Sequence, residues 1–307
     1  MIKISLITPS YNQGKYIEKT IKSVLNQHYP NIEYIIIDGG SSDETVEIIK
    51  KYEKYITYWI SEPDNGQSHA INKGLQHATG EIINWLNSDD YLEPNALHHV
   101  AETFNNSNIN MLCGFSKLIY SDKIILKRTS NVIDDFAKAT GMGHIMQPST
   151  FFRKKIFDEL APVETKLHFM MDHFLWIKYL AKFGTKDICY SDTILANVTV
   201  HDKTKSVKNI FDFYKERNWI YSSLLNVMKR KIYLPDKNEN EYLPIIINSE
   251  LFAYHKRKIY FFFLYDQLFL RNLKGERIRI RLKVLVKLFF CFPKETLETI
   301  INAFLKK

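Results

Sequence analysis

The sequence predicts an α/β fold, with a mostly parallel sheet flanked by helices and a C-terminal helical extension. Through the first 105 residues, short apolar runs alternate with segments of helical period, as in a parallel sheet that has helices on both faces. After residue 105 the runs indicate short strands joined by turns, and from about residue 205 the period is mostly helical.

These patterns predict the elements in order. Apolar runs predict buried strands at residues 2–9, 34–38, 57–61 and 81–86. Helices are predicted over residues 15–27, 45–54, 67–78 and from Pro94 to about 105, with Ser41, Ser42 and Asp43 as candidate N-caps of the second. Residues 110–128 then indicate antiparallel strands, residues 171–184 a helix and residues 187–201 an extended segment.

Composition and charge narrow the class of protein. The 307 residues are 45% hydrophobic and 25% charged, which is typical of a globular chain. Residues 1–200 carry 20 Lys and Arg against 23 Asp and Glu, whereas residues 201–307 carry 22 against 11. The positive excess therefore lies in the last third, which predicts different partners for the two parts.

Cysteine usage and hydropathy predict the compartment. The three cysteines, at positions 113, 189 and 291, form no CxxC pair, so we expect neither a disulfide framework nor a zinc site. No signal-peptide pattern and no run of 18 apolar residues is found. We expect a cytoplasmic protein without a transmembrane helix.

Polar clusters follow the four predicted parallel strands, at residues 10–12, 38–41, 62–64 and 87–90. Strand ends of this kind meet at one edge of a sheet, where ligands bind. The adjacent acids Asp89 and Asp90 either cap the next turn or hold a divalent cation that offsets their repulsion. Together with Asp38 on a glycine-rich turn, they favour a nucleotide diphosphate with its metal. Neither GxGxxG nor a P-loop occurs, so we expect a metal to do more of the phosphate binding.

At these residues the chain resembles the family 2 glycosyltransferases with the GT-A fold. The resemblance spans about residues 4–206 and is carried by ITPSYNQGKYIEKTIKSVLNQ, YIIIDGGSSDET, SEPDNGQSHAINKGLQHATGE, WLNSDD, MQPSTFFR, MMDHFLW and ILANVTVHDKTKS. It implies a catalytic domain over residues 1–205, with a nucleotide-binding half at 1–105 and an acceptor-binding half at 106–205. A basic, aromatic-rich helical extension follows over residues 206–307.

The resemblance implies a nucleotide pocket on the first strands. Asp38 would contact the base of the donor, and the Pro9-Ser10-Tyr11 turn would line the same pocket. Asp64, in the EPDNGQ segment, would lie against the nucleotide.

The resemblance also implies a metal site. The DxD motif of the family falls on Asn87, Ser88 and Asp89, which would bind the nucleotide-sugar. Asp89 and the following Asp90 would hold the metal, and His201 would complete metal or diphosphate binding. The first position is commonly Asp. The asparagine here keeps an oxygen ligand but removes a charge. Asp89 and Asp90 would therefore supply the negative charge for the metal.

Asp172 corresponds to the general base of inverting members, although the acid that commonly precedes it is Met171 here. Alternatively, Asp172 is only the N-cap of the helix that follows. Gln147 lies in a segment that lines the acceptor side in similar enzymes.

The predicted function is inverting transfer of a sugar from a nucleotide-diphosphate donor, most often a UDP-sugar, to a hydroxyl of a glycan or lipid-linked acceptor. The expected cofactor is Mg²⁺ or Mn²⁺, and the expected role is bacterial surface-polysaccharide or glycan assembly. The alternative is a catalytically inactive nucleotide-binding module with a basic tail that binds membrane or nucleic acid, which Asn87 and Met171 favour. A third possibility is a nucleotidyltransferase, which would normally carry a glycine-rich loop with Lys or Arg after the first strand. The segment TPSYNQGK is a poor match to such a loop.

The basic tail leaves two interpretations open. If helical, residues 254–294 place apolar and basic side chains on separate faces, as in a helix lying on anionic lipid at the inner face of the cell membrane. The same pattern fits a helix packed on the catalytic domain. Because the aromatic residues lie within apolar runs, we expect no nucleic-acid partner.

Overall fold

The structure is a computed structural model that describes residues 1–128, 135–201, 204, 210–228, 242–268, 288 and 292. The chain divides into two compact units. The first comprises Met1–Asn131, His144–Trp176 and Lys186–Val207, and the second Val132–Gly143, Ile177–Thr185 and Lys208–Lys307. The domain boundary predicted at residue 205 stays a prediction.

Strands and helices alternate through the first unit. The strands are β1 Ile4–Ser10, β2 Ile32–Asp38, β3 Tyr58–Ser61, β4 Ile82–Trp85, β5 Tyr91–Leu92, β6 Met111–Ile119, β7 Ile124–Arg128, β8 Thr150–Arg153 and β9 Ile188–Thr199. The α-helices of the whole described chain are α1 Gly14–Leu25, α2 Thr45–Lys51, α3 Gln67–His77, α4 Ala96–Asn106, α5 Phe136–Met142, α6 Lys154–Asp158, α7 Met171–Phe183, α8 Ile210–Val227 and α9 Ser249–Leu268.

These strands form one sheet in the order β3-β2-β1-β4-β8-β6-β9-β5, with β7 paired to β6. The first four strands are mutually parallel, whereas β8 runs antiparallel to both β4 and β6. Ser10 lies opposite Asp38, and Asp38 opposite Ser61. The carboxyl ends of β1, β2 and β3 are therefore aligned at one edge, which confirms the predicted α/β class.

Burial explains why the first strands are continuous apolar runs. Every residue of β1 is buried, because a central parallel strand is covered on both faces. Helix α1 turns Ile17, Ile21 and Val24 inward at a spacing of three and four residues. On α3, a Cβ atom at Gly74 would lie 2.5 Å from Ile7 Cγ2, so the glycine allows this helix to approach β1 closely.

Helix ends differ from the prediction. The helix expected over residues 45–54 ends at Lys51 and is followed by a 3₁₀ turn at Glu53–Tyr55. None of the three predicted N-caps holds that position, which is Glu44. Asp43 instead accepts the Thr45 amide at 3.0 Å. Local side-chain hydrogen bonds of this kind compete with regular caps.

The second unit is helical in its described part. Its core includes Tyr221, Phe252 and Phe263, and the Tyr221 hydroxyl donates to the Thr140 carbonyl at 2.8 Å. Of residues 254–294, the structure describes 254–268, 288 and 292, so most of the predicted interfacial segment lies outside the described residues. No described helix has the length and apolar character needed to cross a bilayer.

Candidate active site

Asp38 ends β2 and is fully buried. Its Oδ2 accepts from the amides of Gly40 (3.1 Å) and Ser41 (2.8 Å) and from the Ser61 hydroxyl (2.6 Å). Its Oδ1 accepts from the Ser41 hydroxyl at 2.5 Å. These bonds satisfy a charged group that would otherwise be costly to bury. Asp38 therefore fixes the glycine-rich turn that follows β2, and its predicted contact with a base stays a prediction.

Asp64 lies directly over this turn. A Cβ atom at Gly39 would lie 2.8 Å from Asp64 Oδ2, so any larger residue would require the carboxylate to shift. Asp64 Oδ1 accepts the Gly66 amide at 2.7 Å, and Gly66 has a φ of +100°, a conformation that glycine adopts readily. The structure thus brings together Asp38 and Asp64, which follow neighbouring strands.

The turn after β1 combines buried and exposed groups. Pro9 is buried, whereas Tyr11 is 61% exposed. Ser10 is 5% exposed, and its hydroxyl has no hydrogen-bond partner in the described part of the chain. Buried hydroxyls are normally paired, so this group is suited to meet a ligand.

The N-terminus of α1 is occupied by the chain itself. Gln13 donates its amide to Thr45 Oγ1 at 2.8 Å, and Gly14 donates to Asp43 Oδ2 at 3.0 Å. Free amides at such a helix start are what binds phosphate in glycine-loop nucleotide sites. Their engagement here agrees with the absence of a glycine fingerprint.

The segment after β4 forms a turn closed by the Asp90 amide, which donates to the Asn87 carbonyl at 3.0 Å. The side chain of Asp90 is turned inward, and the residue is only 2% exposed. Its Oδ1 accepts the Thr199 amide and its Oδ2 accepts Asn87 Nδ2, both at 3.1 Å. Burial raises the pKa of the Asp90 carboxyl well above its ordinary value, and the charge of Asp89 raises it further.

Asp89 is the more accessible of the two acids, with 21% of its side chain exposed. Its Oδ2 lies 3.2 Å from His201 Nε2. The imidazole stacks on Tyr16 with ring centroids 4.7 Å apart, which fixes its plane. The structure therefore brings Asp89 and His201 into contact, whereas the Asp90 side chain points inward and bonds the Thr199 amide; the metal-binding roles of all three stay predictions.

These residues do not form a complete metal site on their own. Among the described residues, no group of three or more His, Cys, Asp or Glu side chains is arranged to hold a metal. The carboxylate oxygens of Asp89 nevertheless suit a hard cation, and this side chain is the partly exposed acid that faces the imidazole. A divalent ion at Asp89 would need further ligands from a bound molecule, and metal binding stays a prediction.

Asp172 is the second residue of α7. It therefore lies inside the first turn, which corrects the alternative that it is the N-cap. Its Oδ1 accepts the adjacent His173 amide at 2.7 Å. The chain leading to α7 is bound to α3, because Asn72 exchanges two hydrogen bonds with the backbone of Val163, at 2.8 and 2.9 Å.

Gln147 is buried, at 4% exposure. Its Nε2 donates to Asn84 Oδ1 at 2.8 Å and to the Trp85 carbonyl at 2.7 Å. It therefore ties its segment to β4, immediately before the turn formed by residues 87–90, which we call the acidic turn. Its place on an acceptor surface stays a prediction.

Sequence reasoning missed the residues that hold the predicted ones. Ser61 and Ser41 bind Asp38, Gln67 binds Asn87, Tyr16 supports His201 and Asn72 anchors the approach to α7. Ser61 and Gln67 stand at the end of a predicted strand and the start of a predicted helix. Nothing in the local pattern identifies their partners.

The sequence model described as glycosyl transferase family 2 matches residues 5–175. The chain belongs to this family. An uncharacterized glycosyltransferase of Rickettsia typhi is 28% identical over 243 residues, which are 74% of this chain and 73% of that protein. One from Mycobacterium tuberculosis is 36% identical over 126 residues, 39% of this chain and 48% of that protein.

Solved structures show the fold of this family 2 member. S. aureus TarS 1-349 in complex with UDP-GlcNAc aligns over 96% of this chain and 83% of its own, with a TM-score of 0.65 at 20% identity. A longer TarS structure is covered over 50% of its length. The mannosyltransferase PcManGT from Pyrobaculum calidifontis, in complex with GDP-Man and Mn²⁺, aligns over 98% of this chain and 79% of its own, with a TM-score of 0.55 at 13% identity. The expected GT-A fold is confirmed.

Proposed function

We propose that this chain transfers a sugar from a UDP-sugar to an acceptor hydroxyl, with inversion at the anomeric carbon. The observation that carries the proposal is the edge of the sheet where the Asp38 turn, Asp64 and the Asp89–His201 pair follow the parallel strands. Ligands of α/β sheets bind at such an edge. The TarS complex with UDP-GlcNAc supports a uridine donor.

The nucleotide pocket of the proposal is lined by the first three strand ends. Asp38 holds the turn, Asp64 and the unpartnered Ser10 hydroxyl supply hydrogen-bonding groups, and Tyr11 offers an exposed aromatic face. Pro9, buried beneath them, fixes the direction in which the turn leaves β1.

A divalent ion, Mg²⁺ or Mn²⁺, would be held by Asp89 with Asp90 and His201 beside it, and by oxygens of the donor diphosphate. When bound, it would offset the negative charge that builds on the leaving diphosphate. The Mn²⁺ complex of PcManGT supports this choice of ion.

The proposed chemical step is a single displacement. The acceptor hydroxyl attacks the anomeric carbon while Asp172 takes its proton, because a neutral hydroxyl is a poor nucleophile. The bond from the anomeric carbon to the diphosphate oxygen breaks, and its electron pair leaves with the nucleoside diphosphate. With one base and no covalent intermediate, the configuration at the anomeric carbon inverts.

We further propose that the sugar is a hexose and the acceptor a glycan or lipid-linked saccharide of a bacterial surface polymer. The protein would then work in the cytoplasm, with peripheral contact to the membrane. The basic excess of residues 201–307 supports attraction to an anionic surface.

The experiment is a panel of UDP-, GDP- and dTDP-sugars with Mn²⁺, each assayed for binding by calorimetry and for release of the nucleoside diphosphate. We expect binding and release with a UDP-sugar. Binding without release, across glycan and lipid-linked acceptors, would support the inactive nucleotide-binding module instead. Absence of binding to every nucleotide sugar would contradict both.

A further inference from the structure

The Asn87 side chain lies between two polar groups and uses both ends of its amide. Its Oδ1 accepts Gln67 Nε2 at 2.7 Å, and its Nδ2 donates to Asp90 Oδ2 at 3.1 Å. Because Gln67 presents N–H to the oxygen end, the NH₂ end of Asn87 must face Asp90. The amide orientation is therefore fixed from both sides.

Asp90 depends on this contact. It is 2% exposed, and its other oxygen accepts the Thr199 amide at 3.1 Å. Asn87 is the side chain that supplies a hydrogen bond to this carboxylate among the described residues. A buried carboxylate that loses one of its donors retains the full cost of desolvation.

An aspartate at position 87 could not do the same work. Its carboxylate would still accept from Gln67, but it would face Asp90 with an acceptor in place of a donor. It would also add a negative group beside Asp89 and the buried Asp90. The asparagine in the first position of the motif is thus matched to the buried acid three residues later.

We propose that Asn87 is a positioning residue: oriented by Gln67, it holds Asp90 in the turn through its NH₂ group, and it does not serve as a ligand of metal or donor. Asp90 in turn binds the Thr199 amide, two residues before His201. The chain Gln67–Asn87–Asp90–Thr199 thereby ties α3 and β9 to the acidic turn. Asp89 is left as the carboxylate that faces a ligand.

An exchange of the two side chains tests this directly. In Asn87→Asp, the donor to Asp90 is lost. In the double variant Asn87→Asp/Asp90→Asn, the amide at position 90 donates to the carboxylate at position 87, while its oxygen still accepts from Thr199. Gln67 still donates to position 87. The exchange reverses the bond and preserves every partner.

Two readouts are measured on the full chain: the midpoint of thermal unfolding without ligand, and turnover of a UDP-sugar with Mn²⁺. We expect Asn87→Asp to lower the midpoint by roughly 2–4 °C and turnover by about tenfold or more. The exchange should recover most of both losses. Asp90→Asn alone completes the double-mutant cycle.

Two controls separate the hydrogen bond from charge. Asn87→Asp/Asp90→Ala relieves the same repulsion without an amide and should stay impaired. Asn105→Asp adds one charge at an exposed position in the last turn of α4; it should leave turnover unchanged and lower the midpoint only slightly, through the helix dipole.

The proposal is overturned if Asn87→Asp matches or exceeds the wild type, as expected of a ligand converted to a better ligand. It is also overturned if the exchange recovers no more than the alanine control. The turnover readout rests on the proposed function, whereas the unfolding readout does not, so absence of turnover in the wild type would leave the unfolding test intact.

Discussion

Asp172 is the residue on which the proposed chemistry depends. We predict that Asp172→Asn lowers turnover by about 10² or more, because the amide cannot accept the acceptor's proton. Binding of UDP should change little, since the substitution preserves shape. Steady-state kinetics and calorimetry measure the two effects separately. Asp122→Asn, at an exposed acid, is the matched control, and loss of UDP binding with normal turnover would make Asp172 structural.

Glu33 lies on β2 opposite Ser5, at the end of these strands that is far from the site. Its carboxyl group contributes to stability in a way that depends on pH. Burial raises the pKa of its carboxyl, but hydrogen bonds from Lys3, Ser5 and Thr79 outweigh this effect and lower the pKa to about 2. A depressed pKa contributes stability that is fully present above the unfolded value near 4.5 and is lost as the pH falls toward 2.

We therefore expect Glu33→Gln to reduce the free energy of unfolding by about 1–3 kcal/mol at pH 7. The difference from the wild type should narrow as the pH falls from 4.5 toward 2. Denaturant titrations across this range measure it, with Glu53→Gln at an exposed position as control. A deficit that is constant with pH would show that the charge of Glu33 does not stabilise the fold.

The positions of candidate site residues could be predicted where the sequence places an acid at or after the end of an apolar strand. Asp38, Asp64 and Asp89 are such acids, and their binding roles stay predictions. The side chains that orient them could not, because Ser61 and Gln67 act through contacts over 23 and 20 residues of sequence. A serine or glutamine at an element end is common, and its partner depends on the folded geometry.

At the scale of elements, helix α3 is bound to the sheet on one side and to the chain before α7 on the other. Its close approach to β1 depends on Gly74. Overpacking of Gly74→Ala against Ile7 costs about 1–3 kcal/mol, and helix propensity returns about 1 kcal/mol. We therefore predict a net decrease of up to about 2 kcal/mol in the free energy of unfolding. Gln76→Ala, on the exposed face, should lose nothing, and equal behaviour of the two would contradict the packing argument.

The second contact of α3 bears on catalysis. Asn72 holds the backbone of Val163 by two hydrogen bonds, eight residues before α7 begins. We predict that Asn72→Leu lowers turnover by about tenfold, because the segment before α7 loses its anchor and Asp172 is no longer held in position. The Kd for UDP should stay within about twofold. Kinetics and calorimetry on one preparation give both values. A change confined to the Kd would place the effect at the nucleotide instead.

Strands were predicted correctly from the sequence where nearly all of their residues are buried. The runs that became β1, β2 and β4 are apolar because both faces of a central parallel strand are covered. Strand β5 has two residues and β8 has four, too few for a period to show. Their antiparallel pairing with β9, β4 and β6 joins distant segments, which no local pattern reports.

At the scale of the molecule, the sequence predicted a change of character near residue 205 from charge and helical period. The structure adds that α5 and residues 177–185 belong to the same compact unit as α8 and α9. Tyr221 on α8 binds Thr140 on α5 across 81 residues of sequence. A linear reading of composition cannot assign such segments, because their grouping depends on packing.

The central claim is that the edge of the sheet beyond β1–β4 is a metal-dependent nucleotide site. Titration of UDP into this chain by calorimetry, with Mn²⁺ and then with EDTA, tests it most directly. We predict that EDTA weakens UDP binding by about tenfold or more, and that Asp89→Ala reduces binding in Mn²⁺ to the level seen in EDTA. Binding of equal strength in Mn²⁺ and EDTA, unchanged by Asp89→Ala, would contradict the account.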